Sequence, residues 1–169
     1  PGVLTLFAKI CEGLIDVINQ QHLAVIVDQL IRPTIPLIQD EFDSNYETRE
    51  PLVVLFGWFF SAAVKKGHRS YLCEVQPDIL GYMMQAMCWL MRQPQESICK
   101  AAVRALVTAF KEIAVVQPRT FAETFNKEFA GLALETLFDV MSDMVHKHSL
   151  PQEIDLLETL IKIPVIVER

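Results

Sequence analysis

The sequence predicts an all-α fold, a HEAT-type helical-repeat solenoid in which helix pairs stack into a right-handed superhelix. Three observations carry this. Apolar residues recur at helical spacing along almost the whole chain, and the alternation of a half-buried strand is nearly absent. Prolines, glycines and capping residues punctuate the pattern into about seven helices joined mostly by short turns, which implies antiparallel neighbours. Helix pairs also recur at a period of about 40–47 residues, the repeat length of HEAT and armadillo arrays. About three pairs plus a leading helix are expected in a single array, 1–169, with approximate repeats at 22–66, 77–116 and 120–163. A closed four-helix bundle is the competing architecture.

The leading helix is expected from about Val3 to Asn19, with Leu4, Phe7, Ile10, Cys11, Leu14 and Ile18 on one stripe. The next starts near His22 and reaches Arg32, where Pro33 and Pro36 bend it or split it before residue 42. The run DEFDSNYETRE reads as a loop, with Thr48 an N-cap and Pro51 in the first turn of a helix to Lys66. Gly67 closes that helix, and a short piece around HRSYLCEV follows. Pro77 and Asp78 open a helix to about Arg92, and Pro94 opens another to about Val116. Thr120 with Glu123, and Ser149 with Gln152, have the spacing of capping boxes. They predict a long helix over 120–147 and a last one over 150–163, ended by Pro164.

The helix within QPQESICKAAVRALVTAFKEI (Gln93–Ile113) is the most informative. Ile98, Ala101, Ala102, Ala105, Leu106, Ala109, Phe110 and Ile113 follow i, i+3, i+4, i+7, and Val103 and Val107 widen the apolar arc. Small residues suit a helix sandwiched between close neighbours. Lys100, Arg104, Thr108 and Lys111 form the remaining polar face. Arg104 is expected to pair with an acidic side chain of the adjacent repeat, or else to meet a partner protein.

Composition narrows the function classes. Half the residues are apolar, so a sizeable core is available, and the formal charge is −6 with no basic stripe. That argues against direct nucleic-acid binding, which depends on neutralising phosphates. The most apolar run, Pro51–Val64, is shorter than the ~20 residues of a membrane span, so no membrane partner is expected. Cys11, Cys73, Cys88 and Cys99 lie in apolar helical runs with no C-x-x-C spacing, which predicts buried thiols in a reducing compartment. With no visible signal peptide and no initial Met, the chain reads as a piece of a longer protein.

No phosphate-binding, dinucleotide, zincin or nucleophile-elbow motif occurs, and His146 and His148 are two apart, off a shared helix face. Neither enzyme activity nor a metal or cofactor site is expected. Partner contact is expected instead at the acidic residues Asp40, Glu41, Asp43 and Glu47, which suit a basic protein surface, and at Lys100, Arg104 and Lys111. The methionines Met83, Met84, Met87 and Met91 and the aromatic run Leu55–Phe60 are expected in the core.

One stretch also resembles a known family. Between Leu52 and Phe110 the aromatic pair Phe59–Phe60, the lysines Lys65–Lys66 and the run Leu72–Cys73–Glu74 are similar to the C-terminal half of importin-β-type nuclear transport receptors. The helix after Asp78 and the P-x-E-x-x-x-K-A run at Pro94, Glu96, Lys100 and Ala101 are similar too, most of all to the importin thirteen and transportin-SR branch. The resemblance implies a superhelical carrier of protein cargo that shuttles between cytoplasm and nucleus. It also implies that the parent chain binds Ran-GTP and that phenylalanine-glycine nucleoporins are partners. A HEAT scaffold for some other assembly, with no Ran cycle, is the alternative.

Overall fold

Pro77 sits at the start of an α-helix because its fixed φ suits a first turn whose N–H groups have no intrahelical partner. In the computed structural model, which describes residues 20–33, 57, 77–115 and 119–163, that helix is Pro77–Met91. It follows an earlier segment, α1 (Gln20–Ile26), whose last turn widens into a π-helical stretch, Val27–Ile31. We number Pro77–Met91 α2, Glu96–Ile113 α3, Arg119–Ser142 α4 and Leu150–Ile161 α5. A 3₁₀ helix, Met144–Ser149, links α4 to α5. The described residues contain no strand. The expected helices at 3–19 and 50–66, the loop between them and the residues after Ile163 lie outside the described residues, apart from the helical Gly57.

The helices stack as those of a HEAT-like solenoid do. α2 packs on α3 and α4 on α5, while α4 lies beside α2 and α5 beside α3. The register shows that α2 and α4 run parallel: Gly81 lies against Phe129, and Arg92 reaches Asp139. One core runs through both pairs. Met83, Met84, Met87 and Met91 are fully buried within it, as their spacing predicts. Phe110 of α3 meets Phe125 of α4 at 5.5 Å between centroids, and Phe125 meets Phe129 at 5.1 Å. Cys88 and Cys99 are buried and unpaired, as expected; Cys11 and Cys73 lie outside the described residues.

α3 buries 11 of its 18 residues, far more than a stripe facing a single neighbour, so it is enclosed on several sides. Alanines make that enclosure close. A Cβ at the buried Gly57 would lie 3.6 Å from the Ala101 Cβ, so the preceding helical residue comes almost to the α3 backbone.

One boundary and two caps differ from expectation, and each has a physical cause. The long helix ends at Ser142 rather than 147 because Asp143 adopts an extended conformation and its carboxylate accepts the Val145 N–H at 2.9 Å. Thr120 and Glu123 form no capping box, since α4 has already begun at Arg119 and the Thr120 carbonyl accepts the Thr124 hydroxyl. Ser149 occupies the N-cap of α5, but its hydroxyl caps nothing there: it donates to the His146 carbonyl and accepts from the Cys99 thiol.

The core predicts its own mutational response. Phe110→Ala should cost about 3–5 kcal/mol and Ala105→Leu, which overpacks the enclosed side of α3, about 1–3 kcal/mol in urea denaturation. Arg104→Ala on the opposite side should stay within about 0.5 kcal/mol. Burial raises the Cys88 thiol to about 11. Cys88 should therefore stay protonated at pH 8 and react with a thiol reagent only as the chain unfolds; rapid labelling of the native protein would contradict this packing.

Candidate protein-interaction surface

The polar face of α3 is a narrow strip because so much of the helix is buried. Ser97, Lys100, Arg104, Thr108 and Lys111 succeed one another at i+3 or i+4 and line one edge. Lys100 is bonded to Glu96 one turn earlier, and this ammonium holds the Glu96 carboxyl below the usual glutamate range. His148, from the 3₁₀ helix, lies near enough to add to the effect. Lys111 reaches across to Asp155 of α5 at 2.9 Å.

Arg104, between them, is exposed and pairs with no acidic group among the described residues. Among the described residues Arg104 has no inter-repeat acidic partner; Lys111, two turns further on, makes the cross-helix pair to α5. Arg104 is exposed, seven residues before Lys111 on the helix, and its peptide carbonyl accepts the Thr108 hydroxyl. The acidic residues Asp40, Glu41, Asp43 and Glu47 lie outside the described residues.

Three ion pairs tie elements of equivalent position. Arg32 of the α1 segment bonds Asp78 of α2 at 3.1 Å, Arg92 bonds Asp139 at 2.9 Å, and Lys111 bonds Asp155. Their sequence separations are 46, 47 and 44 residues, within the range expected for one repeat. Composition hid these pairs; a search for opposite charges about 45 residues apart would have found them. The Arg32 guanidinium holds the Asp78 carboxyl below its ordinary range.

A buried polar joint lies at one end of the strip. His146 Nε2 donates to the Gln93 carbonyl at 3.0 Å, binding the α4–α5 link to the α2–α3 turn. Its Nδ1 lies 3.7 Å from an Asp143 carboxylate oxygen. The Cys99 thiol meets Ser149 at 3.2 Å. Sequence reasoning read Ser149 as a helix cap and Cys99 as a buried thiol and found neither the Cys99–Ser149 nor the His146–Gln93 bond, because those partners are 50 and 53 residues apart. Among the described residues no cluster of His, Cys, Asp and Glu could hold a metal ion, and no helix is long and apolar enough to cross a membrane.

Parallel stacked helix pairs, with polar strips at the edges and cross-pair bonds at the repeat spacing, define a helical-repeat protein. Its residues 1–167 match the family model described as CRM1 C terminal, a karyopherin-type domain, and the chain belongs to that family. It is thus a member of the importin-β superfamily in the broad sense, and the family is one of nuclear transport receptor segments. No curated protein and no solved structure matches the chain.

Two measurements test the charge assignments. A double-mutant cycle on Lys111 and Asp155 should return a coupling of about 0.2–1 kcal/mol, as exposed pairs do, and it should shrink in 1 M salt. Lys100→Met should raise the Glu96 titration midpoint followed by carboxyl NMR. Because the folded Glu96 value is depressed, its contribution to stability is present above the unfolded glutamate pKa. It is lost as pH falls through the folded value, so the variant and the parent should converge in acid.

Proposed function

We propose that this chain is the protein–protein interaction segment of a nuclear transport receptor that carries protein cargo through the nuclear pore under control of Ran-GTP. The observation that carries the reading is the family match across 1–167, on a chain whose described helices stack in pairs. Ran-GTP is bound through the parent chain, phenylalanine-glycine nucleoporins are further partners, and the protein shuttles between cytoplasm and nucleus. Repeats at 22–66, 77–116 and 120–163 form one array. The role is mechanical and not catalytic.

The likeness to the importin thirteen and transportin-SR branch remains part of this proposal and rests on the residues quoted for it; the family match itself names CRM1. Within the proposal, cargo touches the α3 strip at Lys100, Arg104 and Lys111 and the acidic residues Asp40, Glu41, Asp43 and Glu47. Arg104 is the central contact, since Lys100 and Lys111 already have carboxylate partners. An unpaired guanidinium can meet a carboxylate in a bidentate bond without first breaking an ion pair.

In pull-downs the parent polypeptide should retain Ran-GTP and not Ran-GDP. Equal retention of both, or of neither, sinks the transport reading in favour of a scaffold outside the Ran cycle. Arg104→Glu should weaken cargo binding at least about fivefold without altering the unfolding midpoint. An unchanged affinity removes the strip from the interface.

A further inference from the structure

Among the described residues, five buried side-chain atoms have no hydrogen-bond partner, and four of them belong to the joint between α2–α3 and α4–α5. The four are Gln95 Oε1, His146 Nδ1, Gln152 Oε1 and Glu153 Oε1; the fifth, Asn126 Oδ1, is in the first half of α4. The Cys99–Ser149 bond brings the four together. Gln95 is the N-cap of α3, and its carbonyl accepts the Cys99 N–H at 3.0 Å. Gln152 and Glu153 follow Ser149 by three and four residues, spacings that share a helix face. His146 precedes Ser149 by three in the 3₁₀ turn, where such side chains eclipse, and its carbonyl accepts the Ser149 hydroxyl. Burial raises the Cys99 thiol, and the nearby Glu153 carboxylate adds to the rise. Glu153 is 1% exposed and His146 6%, so both are cut off from bulk solvent.

Every one of these atoms is an acceptor. His146 Nε2–H is already given to the Gln93 carbonyl, which leaves Nδ1 with a lone pair. Acceptors cannot bond one another, and the donors beside them are committed. The Cys99 thiol donates to Ser149, the Ser149 hydroxyl to the His146 carbonyl and the Lys100 ammonium to Glu96. The Asp143 carboxylate, 3.7 Å from Nδ1, is one more acceptor. His146 and Glu153 carry the argument: the bond to Gln93 fixes the imidazole, and a carboxylate presents acceptors whichever way it turns. Folded proteins seldom leave such buried groups unpaired.

We infer that the joint is a binding site for a small hydrogen-bond donor, and that its ligand is one or two water molecules held between the start of α3, the 3₁₀ link and the first turn of α5. A water has two protons to give, and buried waters characteristically make about three bonds to polar groups of this kind. Bridging through water is nearly as favourable as a direct bond. A metal ion suits the site less, since no His, Cys, Asp and Glu cluster among the described residues could hold one. The bridge works beside the His146–Gln93 bond and fixes the same register. It lies in the seam between pairs and does not depend on cargo or Ran.

Oxygen-17 magnetic relaxation dispersion, which counts waters held long inside a protein, tests this on the chain 1–169. Glu153→Met removes an acceptor at similar volume and should lower the dispersion amplitude by the equivalent of about one to two waters. Glu153→Gln keeps an acceptor and should retain the parent amplitude. Cooperative urea unfolding checks that each variant is folded, and His146→Phe replaces Glu153→Met if that variant is not. Equal amplitudes in the parent and the folded apolar variant overturn the inference. So does an infrared band of a protonated carboxyl at neutral pH that Glu153→Gln abolishes, because the donor is then a proton on Glu153 itself.

Discussion

The enclosure of α3 is the constraint on which the described structure depends. α2 packs on it within its pair, α5 lies beside it, and Gly57 comes close to Ala101. A helix enclosed on several sides can keep only a narrow polar strip, and its other positions must fit close neighbours. Bulky side chains throughout would push the axes apart. The alanines at 101, 102, 105 and 109 let the helices approach, while Leu106, Phe110 and Ile113 fill the space between them. Packing of this kind is set at the level of single methylenes, which is why so much of the sequence between Ile98 and Ile113 is small or β-branched.

Hydrophobic packing alone leaves the sliding of one pair along the next poorly defined, and the polar joint supplies that definition. His146 bonds a backbone carbonyl in the α2–α3 turn, and Cys99 bonds the residue that begins α5. Both residues are buried, so breaking either bond by a shift along the helix axis would leave polar groups without partners. The ion pairs at the repeat spacing act differently. Arg92–Asp139 and Lys111–Asp155 are about half exposed, where such pairs contribute little to stability. The buried joint therefore sets the register and the apolar arc supplies most of the energy.

Much of this was legible in the sequence, for an identifiable reason. Helical periodicity is local, so the spans of α2 and α3, the burial of the four methionines and the width of the α3 arc could all be read from neighbouring residues. Failures came where a distant group intervened or where a side chain competed for its own backbone. Ser149 and Gln152 have the spacing of a capping box, yet Cys99, 50 residues away in sequence, turns the Ser149 hydroxyl inward. Asp143 ends α4 early through a bond to its own chain, a competition that periodicity does not register. Arg104 was placed correctly on the polar strip, but its pairing depended on the rotation of α3 against α5, which no local pattern encodes.

That rotation bears on what such a surface can do. Each added pair in a stacked array contributes a polar strip at its edge and an apolar face at its end, so the stability of the whole is close to a sum of neighbouring interfaces. No pair needs a pocket to take part in binding; a partner is held by strips contributed in succession. On α3 the strip's outer cations are already neutralised by Glu96 and Asp155, which leaves Arg104 as its exposed, uncommitted charge among the described residues. Neutralised flanks weaken long-range attraction to anything acidic in a chain of net charge −6. Recognition at this strip then depends on short-range fit at one guanidinium, a geometry that discriminates between partners more than it accumulates affinity.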